Sequence, residues 1–329
     1  MKRGRMLGFQ LHDPSSRQTF IPHPQELSLD PSPPLIDKGS RIAWLGLGTM
    51  GRPMARRLAE AGFRIRGYNR ILHEPLSTLP FPVGTDAAEC VSESDLVIVM
   101  VRDGGVARDL FTGPRGILAG LRPGQIVVNM STESPAEARS EAAACQGKGA
   151  LYFDIPVSGS VVPAERGELL LLAGGNEDYR KNIEKPLSVL GKSLHWFGPA
   201  GSGMAAKLAI NYLLASHMEA LVQMLLIGES LGLDKKALSD ALLESPLITP
   251  FYRIKIKNLL EENYTKAFSA SLMKKDLDLL LAELLSHDQS IPEPLSHLRA
   301  LYRRSVVRGL GEKDLSVIQD LLKSDSQGS

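Results

Sequence analysis

The sequence predicts an α/β domain with a doubly wound parallel sheet, followed by an all-helical domain. Three observations predict it. Between residues 41 and 203, short runs rich in Val, Ile and Leu alternate with helical stretches, the rhythm of strands buried on both faces and joined by crossover helices. Beyond residue 203 the strand signals stop and only helical periodicity continues. A glycine-rich turn, Gly46-Leu47-Gly48-Thr49-Met50-Gly51, sits where the first strand hands over to the first helix. A chain of 329 residues fits two domains at about 150 residues each. With 43% hydrophobic and 23% charged residues it can bury a sizeable core without staples.

Taken in order, residues 1–40 read as a flexible extension. Pro14, Pro22, Pro24, Pro31, Pro33 and Pro34 punctuate a polar stretch without sustained periodicity. Basic residues open it, but no apolar core of a secretory signal follows, and Asp13, Glu26, Asp30 and Asp37 argue against a transit peptide. Folding is expected from Arg41. Strands are expected at Ile42–Leu45, Arg64–Tyr68, Leu96–Val101 and Ile126–Asn129. A helix is expected over Pro53–Ala61, where Met54, Leu58 and Ala61 recur at helical spacing.

The α/β dinucleotide-binding domain is expected to span 41–203 and the helical domain 204–329. The latter opens with a long helix over Ala205–Leu233, carrying Leu208, Tyr212, Ala215, Met218, Leu221 and Leu225 on compatible faces. Gly232 ends it, and Asp234 is placed to cap the next. Further helices are expected over Lys235–Glu244, Tyr252–Glu262, Leu272–His287, Pro292–Arg308 and Asp314–Lys323.

Composition excludes several function classes. Lys plus Arg is 38 and Asp plus Glu 37, so a net charge of +1 gives no electrostatic case for nucleic acid or an anionic membrane. Gly and Asp interrupt every apolar run before the roughly 18 residues of a membrane helix. Cys90 and Cys145 are too few for a disulfide framework. His195, His217 and His297 lack metal-ligand spacing, and no nucleophile-elbow motif supports a Ser-His-Asp arrangement. A soluble, cytoplasmic, metal-free protein is expected.

The glycine turn has a physical reading. Gly46 permits a tight turn, Gly48 lets a pyrophosphate approach the backbone, and Gly51 lets helix and strand pack closely. The anion then meets free N–H groups at the positive end of the helix dipole. This is the Rossmann fingerprint. At the end of the second strand, where an acid would bind the ribose of NAD, the chain runs Tyr68-Asn69-Arg70. A guanidinium there can bind a 2′-phosphate that a carboxylate would repel, so NADP(H) is the expected cofactor.

Three further motifs follow: Asp154-Ile155-Pro156-Val157-Ser158-Gly159-Ser160, then Gly201-Ser202-Gly203-Met204-Ala205-Ala206-Lys207 with Asn211, then Phe268, Leu272, Lys275 and Asp276. Together with GLGTMG they resemble the β-hydroxyacid dehydrogenase family over roughly residues 41–323. The family includes 3-hydroxyisobutyrate dehydrogenase, tartronate semialdehyde reductase and the glyoxylate/succinic semialdehyde reductases. The resemblance makes Lys207 the catalytic lysine and Asn211 its substrate-binding neighbour. Helical spacing independently puts these two, at i and i+4, on one face. An ammonium beside a carbonyl oxygen can supply a proton as hydride reaches carbon, provided partial desolvation or nearby cations lower its pKa.

By the same resemblance Ser158 and Gly159 hold a substrate carboxylate, and Thr132, after the strand Ile126–Asn129, lies beside the nicotinamide and substrate. Phe268 and Asp276 line the substrate site, and Lys275 contacts the cofactor together with Leu47, Thr49, Met50, Asn69 and Arg70. The family commonly has glycine where this chain has Ser160. The implied function is NADP(H)-dependent reduction of short semialdehydes or oxoacids such as glyoxylate, succinic semialdehyde or tartronate semialdehyde. The alternatives are an NAD-dependent 3-hydroxyisobutyrate dehydrogenase and a cofactor-binding module without catalysis. Imine reductases share the architecture but typically carry Asp or Tyr in place of Lys207. Related enzymes associate through their helical domains, so a homodimer or homotetramer is expected, with a small carboxylate as the other partner.

Overall fold

In the computed structural model, residues 32–71, 74–102 and 104–327 are described. The first domain is built on β1 (Arg41–Leu45), β2 (Arg64–Tyr68), β3 (Val83–Gly84), β4 (Leu96–Val99), β5 (Ile126–Asn129) and β6 (Leu151–Asp154). These six are parallel, in the order β3-β2-β1-β4-β5-β6. The apolar runs divide between two cores because successive side chains point to opposite faces. Ile42, Trp44, Leu96, Ile98, Ile126 and Val128 enter one. Ala43, Leu45, Val97, Val99 and Val127 enter the other. Strand order reverses beside β1, which opens a crevice at the carboxyl ends of β1 and β4.

The sheet continues beyond the expected four strands. After β6 the chain bends at Pro156 into β7 (Val157–Ser158), and both pair antiparallel with β8 (Leu169–Gly175). The other edge of β8 takes β9 (Gly191–Gly198) in parallel. Leu169–Leu172 is an unbroken leucine run buried on both faces, so its sequence lacks the alternation that marks a half-buried strand. β4 ends at Val99, two residues before the expected limit, because the backbone N–H of Val101 turns to Ser131 Oγ at 3.0 Å.

The extension expected through residue 40 needs correction over 32–40. Ile36 is buried and its N–H donates to Asn182 O, while Asn182 Nδ2 donates to the carbonyls of Pro33 and Pro34. This stretch is packed against the Arg180–Leu190 helix. Residues 1–31 lie outside the described residues.

The helical domain comprises Ser202–Ser230, Lys235–Glu244, Pro250–Leu260, Ala270–Ser286, Glu293–Val307 and Ile318–Gln327. Expected starts run late where a cap was overlooked: Thr249 and Ser269 accept from Tyr252 N–H and Leu272 N–H, so their helices begin about a half-turn earlier. Asp234 caps its helix through Ala237 N–H at 2.8 Å, as expected. The expectation that no segment could span a membrane also needs correction. Ser202–Ser230 is long and apolar enough by length and composition. In this fold it is the central rod of the helical domain, burying Ala215, Met218, Leu221, Val222 and Leu225 among the other helices.

Candidate active site

The cofactor turn owes its shape to steric exclusion. Gly46 has φ of +105°, and a Cβ there would lie 2.2 Å from Met100 O. A Cβ on Gly51 would lie 2.0 Å from the Gly46 carbonyl, so helix and strand close to a distance only glycine permits. At Gly48 nothing lies within 4 Å of the same position, which leaves the backbone open to a ligand. Met50 provides no side-chain cap for the Gly51–Glu60 helix, and no acid stands in its first turn, so the N-terminal end is available to an anion. Leu47 is buried and donates its N–H to Asn69 Oδ1 at 3.4 Å, tying the turn to the end of β2.

A cavity of about 580 Å³ opens here, bordered by Gly48, Tyr68, Asn69, Arg70, Arg102 and Arg115 among others. Arg115 pairs with Asp86 and Arg102 with Glu312 of the helical domain, whereas Arg70 makes no ion pair among the described residues. Asp109 also borders the cavity, but no acid stands at the end of β2. The open glycine and the free guanidinium fit a dinucleotide with its phosphates on the turn. Thr49 and Met50 complete the turn into the helix.

A second group forms where the two domains meet. Lys207 is buried on the central helix, and burial together with the Lys275 charge lowers its pKa to about 8, against an opposing pull from Asp276. Asn211, one turn further, donates through Nδ2 to Asp276 Oδ2 at 2.6 Å. Lys275 Nζ lies 3.0 Å from Asp276 Oδ1 and donates to the Thr132 carbonyl. Lys207, Asn211, Lys275, Asp276 and Thr132 thus belong to one cluster spanning both domains.

Ser158 and Gly159 stand at the end of β7, at the antiparallel edge of the sheet. Ser158 pairs with Leu170 in β7, and Gly159, with φ of +142°, would bring a Cβ within 2.8 Å of Leu169 Cδ2. Ser160 stands at the start of the Val161–Arg166 helix without capping it through its side chain. Phe268 is held from another quarter: its N–H donates to Asp314 Oδ2 at 3.2 Å, and its ring packs on the helical core. Asp314 is itself buried against Lys255 Nζ at 2.5 Å, so this ion pair sets the loop that carries Phe268.

Two features escaped the sequence. Asp154 accepts the N–H groups of Gly201 and Met204 at 2.8 Å each, anchoring the first turn of the Lys207 helix to β6. Burial raises its pKa to about 6 against those backbone bonds. Behind Thr132, Asn129 Nδ2 donates to both Glu133 and Glu141 at 3.0 Å, and Tyr152 OH donates to Glu141 at 2.8 Å. One signal was available. Glu141 shares the buried face of the Pro135–Gln146 helix with Ala138 and Cys145, an acid inside an apolar stripe.

Two family profiles match the chain. One, described as the NAD binding domain of 6-phosphogluconate dehydrogenase, covers residues 41–198. The other, described as NAD-binding of NADP-dependent 3-hydroxyisobutyrate dehydrogenase, covers 201–322. Glyoxylate/succinic semialdehyde reductase 2 of Arabidopsis thaliana is 30% identical over 86% of this chain and 79% of its own length. An NAD-dependent L-serine dehydrogenase of Pseudomonas aeruginosa is 30% identical over 85% of this chain and 97% of its own. Among solved structures, 3-hydroxyisobutyrate dehydrogenase of Mycobacterium tuberculosis with L-serine superposes with a TM-score of 0.77 at 28% identity. It covers 86% of this chain and 99% of that one.

Proposed function

This chain is a member of the β-hydroxyacid dehydrogenase family, and we propose that it is an NADP(H)-dependent reductase of short semialdehydes or oxoacids such as glyoxylate, succinic semialdehyde or tartronate semialdehyde. The fold and the two profiles make it an oxidoreductase with a nicotinamide dinucleotide cofactor. The observation that carries the finer reading is Lys207, a buried lysine whose proton is loosened to about 8 in a cluster with Thr132, Asn211 and Asp276. The cofactor supplies hydride to the substrate carbon when bound. Lys207 gives its proton to the carbonyl oxygen in reduction and takes one from the hydroxyl in oxidation. Asn211, fixed by Asp276, positions the substrate beside it. Ser158 and the Gly159 backbone hold the carboxylate, and Phe268 closes the acyl side. Arg70 favours the 2′-phosphate.

Oxidation of NADPH and NADH by the purified protein against those three substrates tests the reading, with Lys207→Ala as control. Turnover that prefers NADPH and disappears in the variant is expected. Preference for NADH would remove the role of Arg70 and favour an NAD-dependent hydroxyacid dehydrogenase. NADPH binding without any turnover would favour a binding module.

The proposal extends to self-association. Leu213 and Ile227 of the central helix are exposed, with Leu231 and Leu233 just beyond its end, apolar surface that a second copy would cover. Light scattering should return a dimer or tetramer; a monomer at micromolar concentration would refute it.

A further inference from the structure

The loop from Asn129 to Ser134 touches both halves of the site. On one side Ser131 Oγ accepts the N–H of Val101, which borders the cofactor cavity. On the other, the Thr132 carbonyl accepts from Lys275 in the lysine cluster. Behind the loop stand two carboxyls. Glu133 and Glu141 are both buried and both accept from the single Asn129 Nδ2 at 3.0 Å, which draws two carboxyls to one amide nitrogen. Two buried carboxyls held this close repel one another as anions, and a proton kept by the pair removes that repulsion. Asn129 is also the lever, because its Oδ1 accepts the Ser131 N–H at 3.0 Å. Whatever moves Nδ2 therefore moves the loop.

The surroundings favour keeping that proton. Burial raises both carboxyls above the ordinary range, Glu133 further, and Glu137 repels both. Arg108, on the helix packed across them, is engaged by Glu137 at 2.6 Å, and Ser134 holds Glu137 from its own side. Tyr152 donates to Glu141 from β6, Cys145 is a buried neutral thiol, and Asp154 lies beyond Tyr152. The nearby cation is thus already paired, while a cavity of about 230 Å³ beside the two glutamates gives hydroxide a route to them.

We propose that Glu133 and Glu141 are positioning residues, a proton-sharing pair that holds the Ser131–Thr132 loop in register with cofactor and lysine, so that loss of the shared proton displaces the loop and switches the enzyme off at alkaline pH. The activity arm of this inference rests on the dehydrogenase reading; the stability arm does not.

The direction of oxidation separates this ionisation from that of Lys207. Oxidation needs neutral Lys207, so its rate rises with pH through about 8. Any fall at still higher pH belongs to another group. Glu133→Gln keeps the acceptor for Asn129 and donates an amide N–H to Glu141, reproducing the protonated pair with nothing to lose. We expect wild-type kcat/KM for hydroxy-acid oxidation to rise and then fall, by about tenfold per pH unit on the alkaline limb. Glu133→Gln should keep the rise and lose the fall.

Thermal stability supplies the second readout. The folded pair binds a proton that the unfolded chain releases above about pH 4.3, so wild-type Tm should decline as pH rises towards the folded value and level beyond it. The decline should flatten in Glu133→Gln, and Glu141→Gln carries the same test should the first variant fail to fold. If no substrate is turned over, the NADP⁺ dissociation constant, read across the same pH range, replaces kcat/KM, because Val101 borders the cofactor cavity. A reductase failure then leaves this test standing. An alkaline limb unchanged by both variants would overturn the proposal, even with a flattened Tm profile.

Discussion

The cofactor cavity and the lysine cluster both handle charge, by opposite means. The cavity is open, and its binding groups are backbone N–H donors at a capless helix end, bared by Gly46, Gly48 and Gly51. The cluster is closed, and its working groups are charged side chains at 8% exposure for Lys207 and 2% for Asp276. An anion that must bind and leave is served by fixed dipoles at the surface, which lose little solvation when empty. A proton that must move is served by a side chain whose charged form burial has made costly. On the proposed reading, the difference teaches that binding here is a property of backbone path, and proton transfer a property of packing.

The sharpest way to separate the regions is Lys207→Ala. It should lower kcat by about 10²- to 10⁴-fold while the NADPH dissociation constant, read by fluorescence, stays within threefold or so. A comparable loss of binding would merge the two regions into one. Next in size, Lys255→Met strips the buried Asp314 of its partner and should cost about 3–5 kcal/mol in denaturant unfolding. Because Asp314 sets the Phe268 loop, KM should rise at temperatures where the variant remains folded, with cofactor affinity intact.

On the other side, Arg70→Ala should weaken NADPH by about 10- to 100-fold, the worth of a lost charge-assisted hydrogen bond or two. NADH should be unaffected; an equal loss for both cofactors would move the 2′-phosphate site elsewhere. The smallest effect is one of pH. With the Lys207 proton loosened to about 8, reduction should fall about tenfold per unit above that value, and oxidation should fall about tenfold per unit below it. Cofactor binding measured alongside should show no limb at that pH.

The same contrast explains what could be read beforehand. GLGTMG was legible because its demands are local: strand, turn and helix lie within twenty residues. Lys207 and Asn211 were legible through helical spacing. Lys275 and Asp276 looked like an ordinary helix pair, since their partners Thr132 and Asn211 stand 143 and 65 positions away. Asp154 was quoted within a motif but given no role, because its bonds to Gly201 and Met204 close a loop of about fifty residues. The β8 strand hid in a leucine run, and residues 32–40 hid behind prolines although Ile36 anchors them.

The Asp154 cap has a mechanical consequence. It clamps the first turn of the central helix to the sheet, and Gly203 packs so closely that a Cβ would lie 2.4 Å from Leu172 O and 2.5 Å from Asp154 O. Lys207 sits one turn from that clamp, so although its helix belongs by sequence to the second domain, the lysine is bolted to the frame of the first. Asp276 comes from the Ala270–Ser286 helix and Phe268 from the loop that precedes it. Asp276 is tied to the same rod, because Asn211, one turn beyond Lys207, donates to it, so the lysine and its counter-charge are fixed to one element.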